Sequence, residues 1–357
     1  MAKTSVNSLE SRLKGLLLGT AVGDALGLPA ENLSRGRIRR LWNGDWQMRL
    51  VFGRGMISDD TEHTLMVAQA LLSHPDDALA FQRSLAGKFR WWFVGLPGGV
   101  GHATAKACLK LWLGFSPLKS AVTSAGSGPA MRSAIIGAYF TEDPAKRRDY
   151  VLASARITHR GWQAETAALA IAEAAAIALE SDGQFENAQI LSTLRALSGE
   201  SEWHERLSKM ELSLGRQDSV SDFARSLGLE NGVTGYSLNV VPVALYSWLR
   251  HRGDFRSALI SALECGGDTD TVGAIVGALC GATGGSDSIP QAWVNGLADW
   301  PRSVSFIQAV AEKLANQKPG SRALGEVKWF WVGQPLRNIF FLIVVLFHGF
   351  RRGLPPY

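Results

Sequence analysis

Gly266-Gly267-Asp268-Thr269-Asp270-Thr271-Val272 sets two carboxylates and two hydroxyls on a glycine-released turn, and an apolar helical pattern over 270–283 follows at once. Carboxylates at i and i+2 with a threonine hydroxyl beside them can face one ion from a single turn, and hard cations such as Mg²⁺ and Mn²⁺ take oxygen ligands. The same residues also suit a helix cap, in which Asp268 or Thr269 accepts backbone N–H bonds. Taken alone, the segment divides evenly between the two readings. Ser58-Asp59-Asp60-Thr61-Glu62 repeats the pattern before a second helix, in which Leu65, Ala68, Leu71 and Leu72 fall at helical spacing. One cap residue per helix satisfies the orphan donors, so four aspartates at two helix starts exceed what capping needs. Carboxylates that converge without a cation repel one another, so a metal is the natural counter-charge if the two turns meet.

The helical period extends outward from these two turns. It predicts helices over 10–26, 60–73, 78–93, 102–113, 130–140, 144–157, 163–181, 186–197, 237–250, 254–264, 270–283 and 303–315. Alternating β-branched stretches with hairpin turns are nearly absent, so the expected class is all-α, a multi-helix bundle whose loops carry function. Gly98-Gly99-Val100-Gly101, Gly126-Ser127-Gly128-Pro129 and Asn231-Gly232-Val233-Thr234-Gly235 break the helices. Such breaks let backbone N–H groups approach a phosphate or sugar closely, and three of them beside two acidic helix starts suggest one shared cleft.

At 357 residues and 46% hydrophobic content the chain can bury a large core, and no linker composition divides it. The expected organisation is a catalytic domain over 1–320 and an apolar and basic tail over 321–357. Cys108, Cys265 and Cys280 lie in apolar helical contexts rather than at ligand spacing, which reads as reduced core thiols in a cytoplasmic protein. The run Leu16-Leu17-Leu18-Gly19-Thr20-Ala21-Val22-Gly23 resembles a short signal-peptide core, but Asp24 interrupts it.

Six arginines between 35 and 54 stand against Asp45 alone, a basic loop suited to a phosphate-bearing ligand or simply to solvent. No nucleic-acid module accompanies it, so no nucleic-acid partner is expected. In the tail, Ile339-Phe340-Phe341-Leu342-Ile343-Val344-Val345-Leu346-Phe347 is too short to span a bilayer, which needs about 20 residues. It reads as a packed helix or a dimer contact, with membrane-surface attachment the less favoured reading because the run is apolar and ends in Arg351-Arg352.

In order along the chain stand Gly15-Leu16-Leu17-Leu18-Gly19-Thr20-Ala21-Val22-Gly23-Asp24-Ala25-Leu26-Gly27 with Glu31, then Ser58-Asp59-Asp60-Thr61 and Gly126-Ser127-Gly128-Pro129-Ala130-Met131-Arg132. Thr158-His159, Thr234-Gly235-Tyr236 and Gly267-Asp268-Thr269-Asp270-Thr271 complete a set that resembles the ADP-ribosylglycohydrolases over roughly residues 12 to 315. The resemblance implies an all-α orthogonal fold with a central two-metal cleft, holding two Mg²⁺ or Mn²⁺. It implies Ser58, Asp59, Asp60, Asp268, Asp270 and Thr271 as ligands, and Glu31 as the carboxylate beside the reacting sugar. Asp59, Asp60 and Asp270 then share the catalytic role with Glu31. Gly99, Gly101, Ser127, Gly128, Met131, His159 and Tyr236 are the candidate substrate contacts. Ser58 stands where the family more often has threonine, and either hydroxyl can serve as a ligand.

The activity so implied is a metal-dependent ADP-ribosylhydrolase that removes ADP-ribose from a modified protein side chain, arginine first. It would reverse a regulatory modification or one inflicted by an ADP-ribosyltransferase toxin. A non-catalytic ADP-ribose-binding or toxin-blocking immunity protein on the same fold, and a metal-dependent phosphohydrolase, are the competing readings.

Overall fold

Glycine recurs every fourth residue, at 15, 19, 23 and 27, in helix α1 (Leu9–Gly27) of the computed structural model, which describes residues 8–181, 184–317 and 320–351. A second series, Gly273, Gly277 and Gly281, lies on the helix Thr269–Gly284. The two helices run antiparallel with their backbones in contact. A Cβ on Gly23 would lie 1.9 Å from the Gly273 carbonyl oxygen, and one on Gly277 would lie 2.0 Å from that of Gly19. Small residues at helical spacing give two flat faces that close this far, and the seam fixes both rotation and register. Thr269 Oγ1 donates to the Gly27 carbonyl (2.8 Å), so the end of one helix is tied to the start of the other. The run that resembled a signal peptide is the buried centre of α1.

Five further helices complete the frame. We number them in chain order: α2 (Asp59–Ser73), α3 (Trp162–Glu180), α4 (Ser237–Arg250), with Thr269–Gly284 becoming α5, then α6 (Val304–Asn316) and α7 (Gln334–Arg351). Helices α2 and α6 pack on α1, and α3 and α4 pack on α5. The alanines of α3 are buried on almost every side, which lets neighbouring helices approach it closely. One continuous apolar cluster extends from Leu13 to Leu314. All three cysteines are buried and unpaired, and burial pushes the Cys108 thiol up to about 12.

The all-α expectation holds: the sheet found among the described residues is one parallel pair, Val122–Thr123 with His159–Arg160. Three expectations need correction. The helix expected over 130–140 is broken into Gly128–Met131 and Ala134–Tyr139, because Ser133 turns its hydroxyl onto the Pro129 carbonyl (2.7 Å) between them. The basic segment is not wholly a loop, since Arg35–Trp42 is helical and ends at Asn43 in the left-handed conformation. The apolar run of the tail belongs to a longer element: α7 has 18 residues, and Trp331–Arg351 together is long and apolar enough, by length and composition, to cross a membrane. Arg352 and the rest of the tail lie outside the described residues.

Candidate active site

The Gly266-Gly267 pair is held in the left-handed region, at φ +75° and +82°, between two other segments. Gly267 donates its N–H to Leu33 O (2.9 Å) and accepts from Asn32 N–H (2.7 Å), while Asp268 donates to Val233 O (2.8 Å). A Cβ on Gly267 would lie 2.0 Å from Val233 O, so only glycine fits there. These bonds bring the residues after Glu31 and those before Tyr236 onto the turn that carries Asp268 and Asp270.

Capping does not use all four aspartates. Asp268 stands at the N-cap position of α5 without a side-chain capping bond. At α2 the cap is Ser58, whose Oγ accepts the Asp60 N–H (3.3 Å), leaving Asp59 and Asp60 over. The two turns meet: Thr271 Oγ1 donates to Asp60 Oδ2 (3.4 Å), and Ser58 Oγ donates to the same oxygen (3.2 Å). Asp60 is buried, and its Oδ1 has no hydrogen-bond partner among the described residues.

Burial is the first cause that raises Asp24, Asp59, Asp60, Asp268 and Asp270, and repulsion between carboxylates adds to it at Asp59, Asp60 and Asp270. Asp60 is pushed well above the usual range by burial, then by Asp59, Asp24 and Asp268; Asp270 by burial, then by Glu31, Asp60 and Asp268. Asp59 is raised by burial and by the charges of Asp24, Glu62 and Glu31, so Glu31 bears on both acidic turns. Asp268 is raised by burial against the opposing help of Thr271 and Ser127. A buried, all-oxygen set with an unpaired carboxylate oxygen fits a hard divalent cation. The set is gathered but open, for among the described residues no three His, Cys, Asp or Glu side chains close to metal-ligand spacing.

The glycine-rich breaks converge on the same place. A Cβ built on Gly99 would lie 3.6 Å from Asp59 Oδ1. Gly235 lies against Asp268, 3.3 Å from Oδ2 to a built Cβ, and its carbonyl accepts the Ser127 N–H (3.1 Å). Tyr236 pairs with Gly126 in an isolated bridge and donates its hydroxyl to Glu202 Oε2 (3.0 Å).

His159 is buried under the next loop, and a Cβ on Gly126 or Gly128 would come 3.0 Å from its ring. Burial, and then Arg132, lower His159 to about 3, so its imidazole is neutral. Arg132 donates to Thr158 Oγ1 (2.8 Å), and the same hydroxyl hydrogen-bonds His159 Nδ1 (2.8 Å), so the guanidinium, the hydroxyl and the imidazole form one chain. Gly101 is exposed at the start of the helix His102–Trp112. Met131 is buried, and its carbonyl accepts Thr64 Oγ1 (3.2 Å) from α2.

The profile of the ADP-ribosylglycohydrolase family matches residues 5–323. The chain belongs to this family. An uncharacterized protein of Archaeoglobus fulgidus is 32% identical over 86% of this chain and 96% of its own length. The ADP-ribosyl-[dinitrogen reductase] glycohydrolase of Rhodospirillum rubrum is 28% identical over 81% of this chain and 91% of its own. Among solved structures, an ADP-ribosylglycohydrolase-related protein complex superposes with a TM-score of 0.62 at 25% identity, covering 87% of this chain and 98% of that one. The protein is an ADP-ribosylhydrolase.

One residue of this ADP-ribosylhydrolase site was not named as such by the sequence reading. Asp24 is fully buried near the end of α1, and its Oδ2 accepts the N–H of Ser58 (2.9 Å), the N–H of Thr61 (3.2 Å) and the Thr61 hydroxyl. Burial raises it to about 6, opposed by those bonds. Asp24 thus splints the start of α2 to the glycine seam. The signal was the aspartate itself, a charge inside an otherwise apolar helix. Asp24→Ala leaves two buried N–H groups unpaired, at a cost of about 1–3 kcal/mol each. The expected result is a lowered Tm together with weaker cation binding, measured by thermal melting with and without added Mg²⁺. An unchanged Tm would remove the splint from this account.

Proposed function

We propose that the protein is a metal-dependent hydrolase that cleaves ADP-ribose from arginine side chains of a modified protein. The observation that carries this reading is the meeting of the two acidic turns, Thr271 Oγ1 of one donating to the buried Asp60 of the other. Ser58, Asp59, Asp60, Asp268, Asp270 and Thr271 would hold two Mg²⁺ or Mn²⁺. When bound, such ions would supply Lewis acidity for binding sugar hydroxyls and activating a water.

The rest of the reaction belongs to the chain's own side chains. C1″ loses its bond to the leaving group through an oxocarbenium-like state, and water takes its place. Glu31 is half-buried, its Oε1 accepting from Asn32 Nδ2 (3.0 Å), and it would take a proton from the attacking water as that oxygen bonds to C1″ and return a proton to the leaving guanidine nitrogen. Backbone N–H groups around Gly99, Gly101 and Gly128 suit the diphosphate, with Ser127 between Asp268 and the diphosphate side of the cleft. His159, neutral under Gly126 and Gly128, supplies a hydrogen-bonding group rather than a charge.

Arginine is favoured by charge. Two divalent cations offset four of the carboxylates formally, and Asp24 and Glu31 leave the cleft with surplus negative charge that suits a positively charged guanidinium and that a neutral serine linkage would not use. The test presents arginine-, serine- and glutamate-linked ADP-ribosyl substrates separately and measures released ADP-ribose with and without a chelator. Release from the arginine linkage, lost in chelator, is the expected result; no release from any of them, or release indifferent to chelator, contradicts it. Glu31→Gln separates proton transfer from metal holding. Its kcat should fall by about 10²–10⁴ with Mg²⁺ affinity retained. An unchanged kcat would take Glu31 out of the chemistry.

A further inference from the structure

Helix α7 is amphipathic in the wrong sense for a protein surrounded by water alone. The polar residues of its first turns face inward. Arg337 pairs with Asp299 and donates to the Ile57 carbonyl, Gln334 Nε2 donates to Glu62 Oε1 (2.7 Å), and Asn338 Nδ2 donates to the Gly95 carbonyl (2.7 Å). Gln334, Arg337 and Asn338 are buried, while Leu336, Ile339, Phe340, Ile343, Phe347 and Phe350 face outward, Ile343 at 62% and Phe350 at 78% exposed. So large a continuous apolar face marks an interaction surface.

The surroundings of that face carry charge and aromatic groups. His348 Nε2 lies 2.7 Å from the Leu50 carbonyl, which fixes the end of α7 beside the turn between Val51 and Arg54. At the tip of this turn Phe52 is fully exposed, with Arg54 exposed next to it. Trp331, 69% exposed, and Lys328 lie before the start of α7, and Arg351 lies at its end. The chain carries a formal charge of +5. Apolar outward residues framed by tryptophan and basic side chains match the layering of a lipid headgroup region. The family match stops at 323, so the family's chemistry does not account for this segment.

We propose that the outward face of α7, with the Phe52 turn beside it, seats the enzyme flat on an anionic lipid surface. The helix does not cross the bilayer in this arrangement. Crossing would pull Arg337 from Asp299 and Gln334 from Glu62 and place them in hydrocarbon, whereas lying flat leaves the inward network intact. The seat is also coupled to the cleft. Phe341 of α7 lies where a Cβ on Gly98 would be 2.9 Å away, and Gly99, the next residue, borders Asp59. The cleft mouth is therefore held near the lipid surface, where membrane-associated modified proteins are within reach.

The full chain is mixed with vesicles of phosphatidylcholine alone and of phosphatidylcholine with phosphatidylglycerol, and floated. The expected result is roughly tenfold more protein on the anionic vesicles, stripped by high salt and by alkaline carbonate. Ile343→Asp combined with Phe347→Asp should lose that binding with turnover of a soluble substrate unchanged. Three results would overturn the proposal. They are wild-type protein that floats with neither vesicle, binding that resists carbonate as a spanning helix does, and a concentration-dependent dimer dispersed by the same two substitutions.

Discussion

Asp270→Ala lowers kcat/KM by at least about 100-fold while the protein stays folded. The ratio follows from what Asp270 does and does not touch. Its backbone lies in the first turn of α5, buried, and its Oδ1 accepts only the neighbouring Thr271 N–H (3.0 Å), so little packing is lost with the carboxylate. Even partners of metal ligands typically cost 10–100-fold when removed, and a ligand costs at least as much. Without metal the carboxyls around Asp270 repel it, so deleting the charge relieves strain in chelator. Thermal melting in chelator should show a Tm no lower than wild type, and steady-state kinetics in Mg²⁺ should show the loss. A variant that unfolds, or one that turns over near the wild-type rate, contradicts the assignment of Asp270.

Gly277→Ala is the second large effect, and it falls on the fold. The added Cβ would come 2.0 Å from the Gly19 carbonyl oxygen and 2.6 Å from its carbon, and backbone cannot give way as a flexible side chain can. The helices must part, at about 3 kcal/mol or more. Because α1 ends at the residues that brace Ser58, and α5 begins with Asp268 and Asp270, parting the seam also separates the two acidic turns. Activity at a temperature where the variant is still folded should therefore fall too. Gly36→Ala is the control: it lies in the helix Arg35–Trp42 with open space around its Cβ and should stabilise slightly, by about 0.5–1 kcal/mol. If both variants melt alike, the seam does not organise the molecule.

The seam and the site were unequally visible in the sequence. The acidic turns could be read because charge at a helix start is local chemistry, and the surplus of aspartates over caps is confirmed by Ser58 alone capping α2. The glycines of α1 were quoted as part of a family motif, but the period-four series acquires its meaning only against Gly273, Gly277 and Gly281, some 250 residues away. Asp24 was hidden for the same reason, since its partners are on another helix. The helix Ser201–Arg216 was missed because charged residues interrupt Trp203, Leu207 and Met210, which are the residues it buries. In the tail the apolar run was plain, yet its inverted facing was not, because Glu62 and Asp299, which turn Gln334 and Arg337 inward, are far off in sequence. Local chemistry was legible, and pairings across the fold were not.

The central claim is that two helix starts together form one cation site. Mn²⁺ titration followed by electron paramagnetic resonance tests it most directly, because free ions give a strong signal and two bound ions near each other couple. The account predicts two Mn²⁺ taken up per chain with a coupled signal in the wild type. It predicts that Asp60→Ala on one helix and Asp270→Ala on the other each abolish the coupling. No uptake by the wild type, or uptake that both substitutions leave unchanged, would contradict it.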